Sequence, residues 1–273
     1  MSHVWDAMKK HEAEESEQKE SAEAQPLDKK KGQPTAKGAD RLKRTPVIGA
    51  TDDYSELLAA HHDRGGAITE QFRALRTHLI AHYADKRFTT MITSAEAGEG
   101  KTVTCLNLGI ILTERTERTT LIVDCDLRKS KIASHLNIEN SPGIADLIRG
   151  TTAIDATVQP TVYPNLFVLP AGDIERREVG ELMGKPELHE IVAQLRPKFD
   201  YVLFDAPPVN RAADAGMLGQ AADGALLVVR MHKTHRESVD RAIRLLHSAN
   251  VTVAGLVLTH QKFYIPSYLY RYS

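Results

Sequence analysis

The chain has 273 residues, of which 42% are hydrophobic, and its formal net charge is −1. This length and content suffice for a large buried core, and the near-neutral charge excludes a global field that attracts nucleic acid or anionic lipid. No apolar stretch approaches the ~18–20 residues of a membrane span, and the N-terminus lacks the apolar region of a signal peptide. The composition therefore predicts a cytoplasmic globular protein that does not bind nucleic acid.

The composition divides the chain into three parts. Large hydrophobic residues are few in the first 45 positions, where Lys, Glu, Gln and Ala dominate, and such a segment cannot offset the entropy lost on folding. We therefore predict a disordered, charged segment over residues 1–50, one domain over residues 51–262, and a flexible C-terminal tail over residues 263–273.

From Tyr54 onward, segments of helical periodicity alternate with short apolar runs. The predicted helices are Ile68 to Ala84, Thr102 to Thr113, Gly143 to Arg149, Gly180 to Leu195, Asp214 to Gln220 and Arg236 to Ser248. The predicted strands are Thr89 to Thr93, Thr120 to Asp124, Leu166 to Leu169, Tyr201 to Asp205, Ala225 to Arg230 and Gly255 to Thr259. Nearly continuous apolar strands between helices are typical of an α/β fold with a doubly wound, mostly parallel sheet, which binds its ligand beyond the carboxyl ends of the strands.

A glycine-rich loop follows the first predicted strand. Residues 94–102 read SAEAGEGKT and lead directly into a helix. Glycine allows backbone N–H groups to turn toward phosphate oxygens, and the helix N-terminus adds a positive dipole. In such a loop the lysine contacts the β- and γ-phosphates and the following hydroxyl binds Mg²⁺, although Ala95 replaces the usual first glycine. The loop predicts an ATP or GTP site formed by Ala97, Gly98, Glu99, Gly100, Lys101, Thr102 and Val103.

Two acidic motifs end later strands. Asp124 and Asp126 follow the second predicted strand, and Asp205 follows the fourth. Because these strands are too apolar to hold a charge, the carboxylates are expected at the sheet edge that faces the phosphate loop. A single Asp after a strand is usually a helix cap or turn former. The order of the three motifs instead favours a Mg²⁺ site, since Mg²⁺ takes oxygen ligands and keeps part of its water shell.

The two cysteines, Cys105 and Cys125, lie inside apolar segments. This placement predicts reduced thiols that pack in the core, and it does not favour a disulfide or a metal site.

At these acidic motifs the sequence resembles a known family. Residues 123–128 (VDCDLR) look like the Walker A′ motif, and residues 204–208 (FDAPP) like the Walker B motif, of bacterial tyrosine kinases that regulate capsular and exopolysaccharide synthesis. The similarity extends from about Ile68 to the C-terminus. The resemblance implies a P-loop NTPase type of sheet that uses ATP and Mg²⁺. It implies that Asp124 is the general base and that Thr102, Asp126 and Asp205 are ligands of Mg²⁺ or its waters. It also implies that Lys101 stabilises the transferred phosphoryl group. Arg128 is expected to support the acidic substrate or neighbouring loops.

The first long helix resembles the Glu-x-x-Arg-x-x-Arg oligomerisation helix of those kinases. At helical spacing Glu70, Arg73 and Arg76 lie along one side. The resemblance implies that they bind an adjoining subunit in a homo-oligomeric ring. From the residues alone, an exposed helix with an internal i,i+3 ion pair remains the alternative.

Half of the eight tyrosines lie in the last ten residues, beyond the last predicted strand. Family kinases phosphorylate such a cluster on a neighbouring subunit, which implies autophosphorylation in trans at Tyr264, Tyr268, Tyr270 and Tyr272. The alternative is a C-terminal hydrophobic flap that includes Phe263, Tyr264, Ile265 and Tyr268. Pro266 predicts an irregular backbone in either case.

The resemblance also implies partners and a location. It points to a separate membrane activator of the polysaccharide co-polymerase class and to a cognate tyrosine phosphatase. Through the activator, the kinase is expected at the inner face of the plasma membrane.

Departures from the family pattern leave two other functions open. Ser130, Glu178-Val179 and Thr259-His260 differ from the usual family residues, and the last pair lies where an Asn commonly contacts adenine. One alternative is a positioning or partition ATPase on the same fold, but Glu96 stands where such ATPases carry a signature lysine. The other is a degenerate nucleotide-binding module. A nitrogenase-type reductase is disfavoured because its cluster cysteines have no counterparts.

Overall fold

The computed structural model describes residues 53–212 and 214–261, without the side chain of Asp214. The whole predicted N-terminal segment and the whole predicted tail, with its four tyrosines, lie outside these residues. The helices are α1 (Ala59–His62), α2 (Ala67–His82), α3 (Lys101–Leu112), α4 (Ile132–Leu136), α5 (Ile144–Arg149), α6 (Ile154–Thr157), α7 (Val179–Met183), α8 (Glu187–Leu195), α9 (Asp214–Gln220) and α10 (Arg236–Ser248). The strands are β1 (Phe88–Ser94), β2 (Thr120–Asp124), β3 (Gln159–Pro160), β4 (Leu166–Leu169), β5 (Tyr201–Asp205), β6 (Gly224–Arg230) and β7 (Val253–Thr259).

The strands form one seven-stranded sheet in the order β3-β4-β2-β5-β1-β6-β7. Every pairing is parallel except the short antiparallel contact between β3 and β4. Strands β1, β2, β4 and β5 are buried along their whole length, as expected for a parallel sheet covered on both faces. The predicted doubly wound, mostly parallel sheet is confirmed.

Two hydrophobic cores hold the layers together, one on each face of the sheet. One core packs α1, α2 and α3 against the sheet through residues such as Leu58, Leu79 and Leu108. The other packs α5, α8 and α10 through residues such as Ile148, Ile191 and Leu246. Both cysteines are buried and unbridged, one in each core, and burial raises the pKa of both thiols. The prediction of reduced core cysteines is confirmed.

The register of the central strands brings the acidic motifs together. Asp124 at the end of β2 is the direct partner of Asp205 at the end of β5. On the other side of β5, Asp205 pairs with Ile92 of β1, the strand that leads into the glycine-rich loop. The carboxyl ends of these three strands therefore form one edge, which is where a doubly wound sheet binds its ligand.

Most predicted elements agree with the structure, and α9 and α10 have the predicted bounds. The single predicted helix from Gly180 to Leu195 is wrong, because the structure has two helices, α7 and α8, which Gly184 to Pro186 separate. Proline lacks a backbone N–H and is tolerated only in the first turn of a helix, so a new helix begins beside Pro186. The short elements α1, α4, α6 and β3 went unpredicted because they are too short to show a period.

None of the helices in the described ranges combines the length and the hydrophobicity that a membrane span requires.

Candidate active site

The glycine-rich loop connects β1 to α3. Gly98 and Gly100 have φ angles of 81° and 95°, in the left-handed region where any other residue is strained. A Cβ added at Gly98 faces open space. Gly100 is the N-cap of α3, so Lys101, Thr102 and Val103 form the first turn, whose N–H groups have no partner within the helix. Together with Ala97 and Glu99 in the loop, this geometry suits an anion at the helix N-terminus.

Four predicted side chains meet at the carboxyl edge of the sheet. The Lys101 ammonium lies 2.7 Å from Asp126 Oδ2 and 3.3 Å from Asp205 Oδ1. The Thr102 hydroxyl donates a hydrogen bond of 2.6 Å to Asp205 Oδ2. All four residues are buried, so strands β2 and β5 and helix α3 place one cation, two carboxylates and a hydroxyl in a small volume.

Asp124 lies beside this cluster and is 0% exposed. Its Oδ2 accepts hydrogen bonds of 3.1 Å from the backbone N–H groups of Lys131 and Ile132, whereas its Oδ1 has no hydrogen-bond partner. Burial and, next, the Asp205 carboxylate raise the pKa of Asp124 to about 8. A buried acceptor without a partner costs stability, and such groups are common at functional sites.

The charges of the cluster change the pKa values of its other members. Burial raises the pKa of Asp205 despite the neighbouring Lys101 ammonium. For Lys101, burial acts to lower the pKa, but the carboxylates of Asp205 and Asp126 outweigh it and raise the pKa above its usual value. The ammonium therefore stays protonated and holds the carboxylates together.

The donor set fits the predicted Mg²⁺. In the described residues no group of three or more His, Cys, Asp or Glu side chains is suited to hold a metal ion. In nucleotide sites, however, Mg²⁺ is usually held by one or two carboxylates, waters and substrate phosphates. Thr102, Asp126 and Asp205 offer hard oxygen atoms of this kind, so their role as metal ligands stays a prediction.

The acidic side chain of Glu99 braces the loop, a role that the sequence did not reveal. Glu99 is 2% exposed and accepts hydrogen bonds from the Glu96 backbone N–H, at 2.8 Å, and from the Thr234 hydroxyl. The Thr259 hydroxyl, at the end of β7, donates to the Glu99 carbonyl oxygen at 2.7 Å. The loop is thus tied to the segment that follows β6 and to the end of β7, and only the unusual Thr259 offered a signal in the sequence.

Helix α2 presents the predicted interface residues on one side. Arg73 forms an ion pair with Glu70 three residues earlier and another, at 2.7 Å, with Glu114 after α3. Arg76 also pairs with Glu114, and the Arg73 hydrogen bond is the main reason that the pKa of Glu114 is lowered. The internal i,i+3 pair is therefore present, and Glu114 is a partner that the sequence did not predict.

Comparisons with known proteins decide the family. A family model described as an AAA domain matches residues 89–252. The chain is 31% identical over 195 residues to the tyrosine-protein kinase YwqD of Bacillus subtilis, and the match covers 71% of this chain and 81% of YwqD. The chain belongs to the bacterial tyrosine-protein kinases. The family predicted from the acidic motifs is confirmed.

Some relatives of this kinase are longer. It is 29% identical over 225 residues to the tyrosine-protein kinase Wzc of Salmonella typhimurium. That match covers 82% of this chain but only 30% of Wzc. Among solved structures, the VpsO kinase domain aligns with a TM-score of 0.64 and 30% identity, over 72% of this chain and 100% of that domain. The cell division ATPase MinD of Pyrococcus furiosus aligns with a TM-score of 0.56 and 26% identity, over 66% and 76%. The structural likeness favours the kinase over the positioning ATPase.

Proposed function

We propose that this kinase transfers the terminal phosphoryl group of ATP to tyrosines in the tail of a neighbouring copy. The observation that carries the proposal is the convergence of Lys101, Thr102, Asp126 and Asp205 beside the glycine-rich loop, in a chain that belongs to the tyrosine kinases. The proposed acceptors are Tyr264, Tyr268, Tyr270 and Tyr272, which lie outside the described residues.

The proposed nucleotide site uses the loop and the first turn of α3. Backbone N–H groups from Ala97 to Val103 are assigned to the phosphates. Thr102, Asp126 and Asp205 are assigned to Mg²⁺, which when bound neutralises charge on the β- and γ-phosphates. Lys101 is assigned to the transferred phosphoryl group, where a fixed positive charge lowers the barrier most.

Asp124 is the proposed general base. A phenol with a pKa of ~10 is a poor nucleophile at neutral pH and needs a positioned acceptor for its proton. Burial raises the pKa of Asp124 to about 8, close to neutral pH, and a general base is most effective when its pKa lies near the operating pH. Its Oδ1 has no hydrogen-bond partner, while the backbone holds Oδ2. We assign Arg128, which is exposed in the loop between β2 and α4, to the support of the acidic substrate.

Assembly into a ring through Glu70, Arg73 and Arg76 is part of the proposal. Thr259 at the end of β7 contacts the phosphate loop of its own subunit, so a tail that starts there has to reverse its direction within a few residues to enter that site. A heterologous ring contact brings each tail to a neighbouring loop. An open groove of about 400 Å³ beside α2, lined by Arg76, Thr77, Ile80, Glu114 and Arg115, offers space for a neighbour.

Regulation of capsule or exopolysaccharide synthesis is the proposed biological role. One relative, 26% identical over 208 residues, carries the name putative tyrosine-protein kinase in the cps region of Klebsiella pneumoniae. On this proposal a membrane co-polymerase activates the kinase at the inner face of the plasma membrane, and a tyrosine phosphatase resets it.

Mass spectrometry after incubation with Mg·ATP tests the activity. Phosphotyrosine in residues 263–273 is expected. Hydrolysis of ATP without phosphotyrosine contradicts the proposal and supports the positioning ATPase. Nucleotide binding without either reaction supports the degenerate module.

A mixing experiment tests transfer between subunits. A Lys101→Met chain, which has intact tail tyrosines, is mixed with a chain whose four tail tyrosines are Phe. The Lys101→Met tail is expected to become phosphorylated, because the second chain has an intact phosphate site. If that tail stays unmodified while ATP binding and mixed assembly are confirmed, the trans mechanism is wrong.

The ring contact has a matched control. Replacing Arg73 and Arg76 with Ala is expected to shrink the particle in light scattering and to lower tail phosphorylation, with ATP binding intact. Glu114→Gln removes the ion pairs that Arg73 and Arg76 form with Glu114, but it leaves both arginines for a neighbour and is expected to keep the assembly. If both variants lose the assembly equally, the arginines act only within the subunit.

A further inference from the structure

The loop after β5 runs alongside the start of the phosphate loop. The Ala206 backbone N–H donates to the Ile92 carbonyl oxygen at 2.9 Å, and the Val209 N–H donates to the Ser94 carbonyl oxygen at 2.9 Å. The Thr93 hydroxyl donates to the Pro207 carbonyl oxygen at 2.7 Å. These bonds fix the backbone that follows Asp205 against the strand that enters the phosphate loop.

The same stretch ends in an arginine that holds a carboxylate of the phosphate loop. Arg211 Nε lies 3.1 Å from Glu96 Oε2, and the two side chains are 63% and 35% exposed. The neighbouring Asn210 donates to the Ser238 carbonyl oxygen at 2.9 Å and lies 3.5 Å from Glu96 Oε1. An ion pair so open to water contributes little to stability, so the guanidinium can leave Glu96 at small cost.

The charge of the site explains why a further cation is useful there. The Lys101 ammonium already contacts two carboxylates, Asp126 and Asp205, and the phosphate loop itself carries Glu96 and Glu99. A triphosphate brings several more negative charges to this acidic edge. Gly98 lies two residues after Glu96, and a Cβ added there would face open space. The ion pair with Glu96 holds Arg211 beside this part of the loop.

We propose that Arg211 is a substrate-binding residue that leaves Glu96 and donates hydrogen bonds to the terminal phosphate of a nucleoside triphosphate. This inference rests on the nucleotide site of the proposed function. The planar guanidinium fork matches phosphate oxygens, and charge-assisted bonds of this kind are the strong ones. Glu96 holds the side chain beside the loop while no nucleotide is bound. The acidic partner therefore competes with the terminal phosphate for Arg211.

Isothermal titration of the full chain with Mg²⁺ and either ADP or a non-hydrolysable β,γ-imido ATP tests the proposal without turnover. Arg211→Ala is expected to weaken binding of the triphosphate about tenfold and to leave ADP binding within about twofold. Arg211→Lys keeps the charge but loses the fork, so its loss for the triphosphate is expected to be smaller. Glu96→Gln is expected to leave triphosphate binding equal or tighter, because the competing carboxylate is gone.

The matched control is Arg87→Ala. Arg87 is similarly exposed, at 58%, and pairs with an aspartate at the opposite edge of the sheet, so its loss is expected to change neither affinity. If Arg211→Ala and Glu96→Gln weaken both nucleotides in parallel, the pair braces the loop and the proposal is wrong. Unchanged triphosphate affinity in Arg211→Ala also overturns it. If the unmodified chain binds neither nucleotide, the proposed function fails as well. If the unmodified chain binds ATP and forms phosphotyrosine, and Arg211→Ala has the same triphosphate affinity, only the role of Arg211 fails.

Discussion

Carboxylates at the two edges of the parallel sheet have opposite pKa shifts. At the amino edge Asp200, just before β5, accepts hydrogen bonds from the Thr119 N–H at 2.9 Å and the Thr119 hydroxyl at 3.1 Å. Arg118 and Arg87 each lie 3.2 Å from its other oxygen. Burial acts to raise the pKa of Asp200, but these partners outweigh burial and lower it.

At the carboxyl edge the balance is reversed. Burial raises the pKa values of both Asp124 and Asp205, and Asp124 Oδ1 lacks a partner. One ammonium, on Lys101, serves two carboxylates. The amino edge is therefore built for stability, whereas the carboxyl edge concentrates like charges that a bound cation can compensate.

The largest expected effect comes from removing the cation of the carboxyl edge. Lys101→Met is expected to lower autophosphorylation by about 10²-fold or more, because phosphoryl transfer depends on fixed positive charge at the transferred group. Phosphotyrosine measured by mass spectrometry after a timed reaction checks this. Circular dichroism serves as the folding control, and near-normal phosphotyrosine in the folded variant would rule out the site assignment.

A smaller effect is expected from neutralising a proposed metal ligand. Asp205→Asn and Asp126→Asn are each expected to raise the Mg²⁺ concentration needed for half-maximal activity about tenfold, since an amide is a poorer ligand for a hard cation than a carboxylate. Titration of activity with Mg²⁺ measures this. Asp205→Asn is not expected to lower the melting temperature of the ligand-free protein, because burial already disfavours its charge. An unchanged Mg²⁺ dependence would return these residues to a structural role.

The smallest effect on activity, and a clear effect on stability, is expected at the amino edge. Asp200→Asn is expected to lower the free energy of unfolding by about 1–3 kcal/mol, because it weakens charge-assisted hydrogen bonds to a carboxylate that is 13% exposed. Nucleotide affinity should not change. Urea unfolding and nucleotide titration together measure both quantities, and an equal loss of affinity would show that the two edges are not separable.

The pH dependence of the same variant sharpens the comparison. The pKa of Asp200 is lower in the folded than in the unfolded chain, so its contribution to stability is present above the unfolded value of about 4 and is lost as the pH falls through the folded value. The difference in unfolding free energy between the wild type and Asp200→Asn is therefore expected to shrink below about pH 4. A difference that is constant from pH 7 to pH 3 would contradict the assigned ion pairs.

The fold was largely predictable because its signals are local. The strands are continuous apolar runs, and α10 shows a helical period over 13 residues, so both were predicted within a few residues of their bounds. The break between α7 and α8 was missed although Pro186 marks it, because the apolar period on the two sides suggests one helix. Elements such as β3, with two residues, have no period to recognise and form only when a neighbour accepts their hydrogen bonds.

The sequence by itself determined the phosphate loop, the acidic strand ends, the parallel sheet and the family, because each depends on residue types at fixed short spacing. Only the tertiary structure decided which charges meet. Glu114 joins Arg73 and Arg76 across about 40 residues, Glu96 meets Arg211 across 115, and Glu99 meets Thr234 across 135. Such pairs are not coded by spacing, because they form only when the packing of distant helices and strands has already fixed the backbone that carries them.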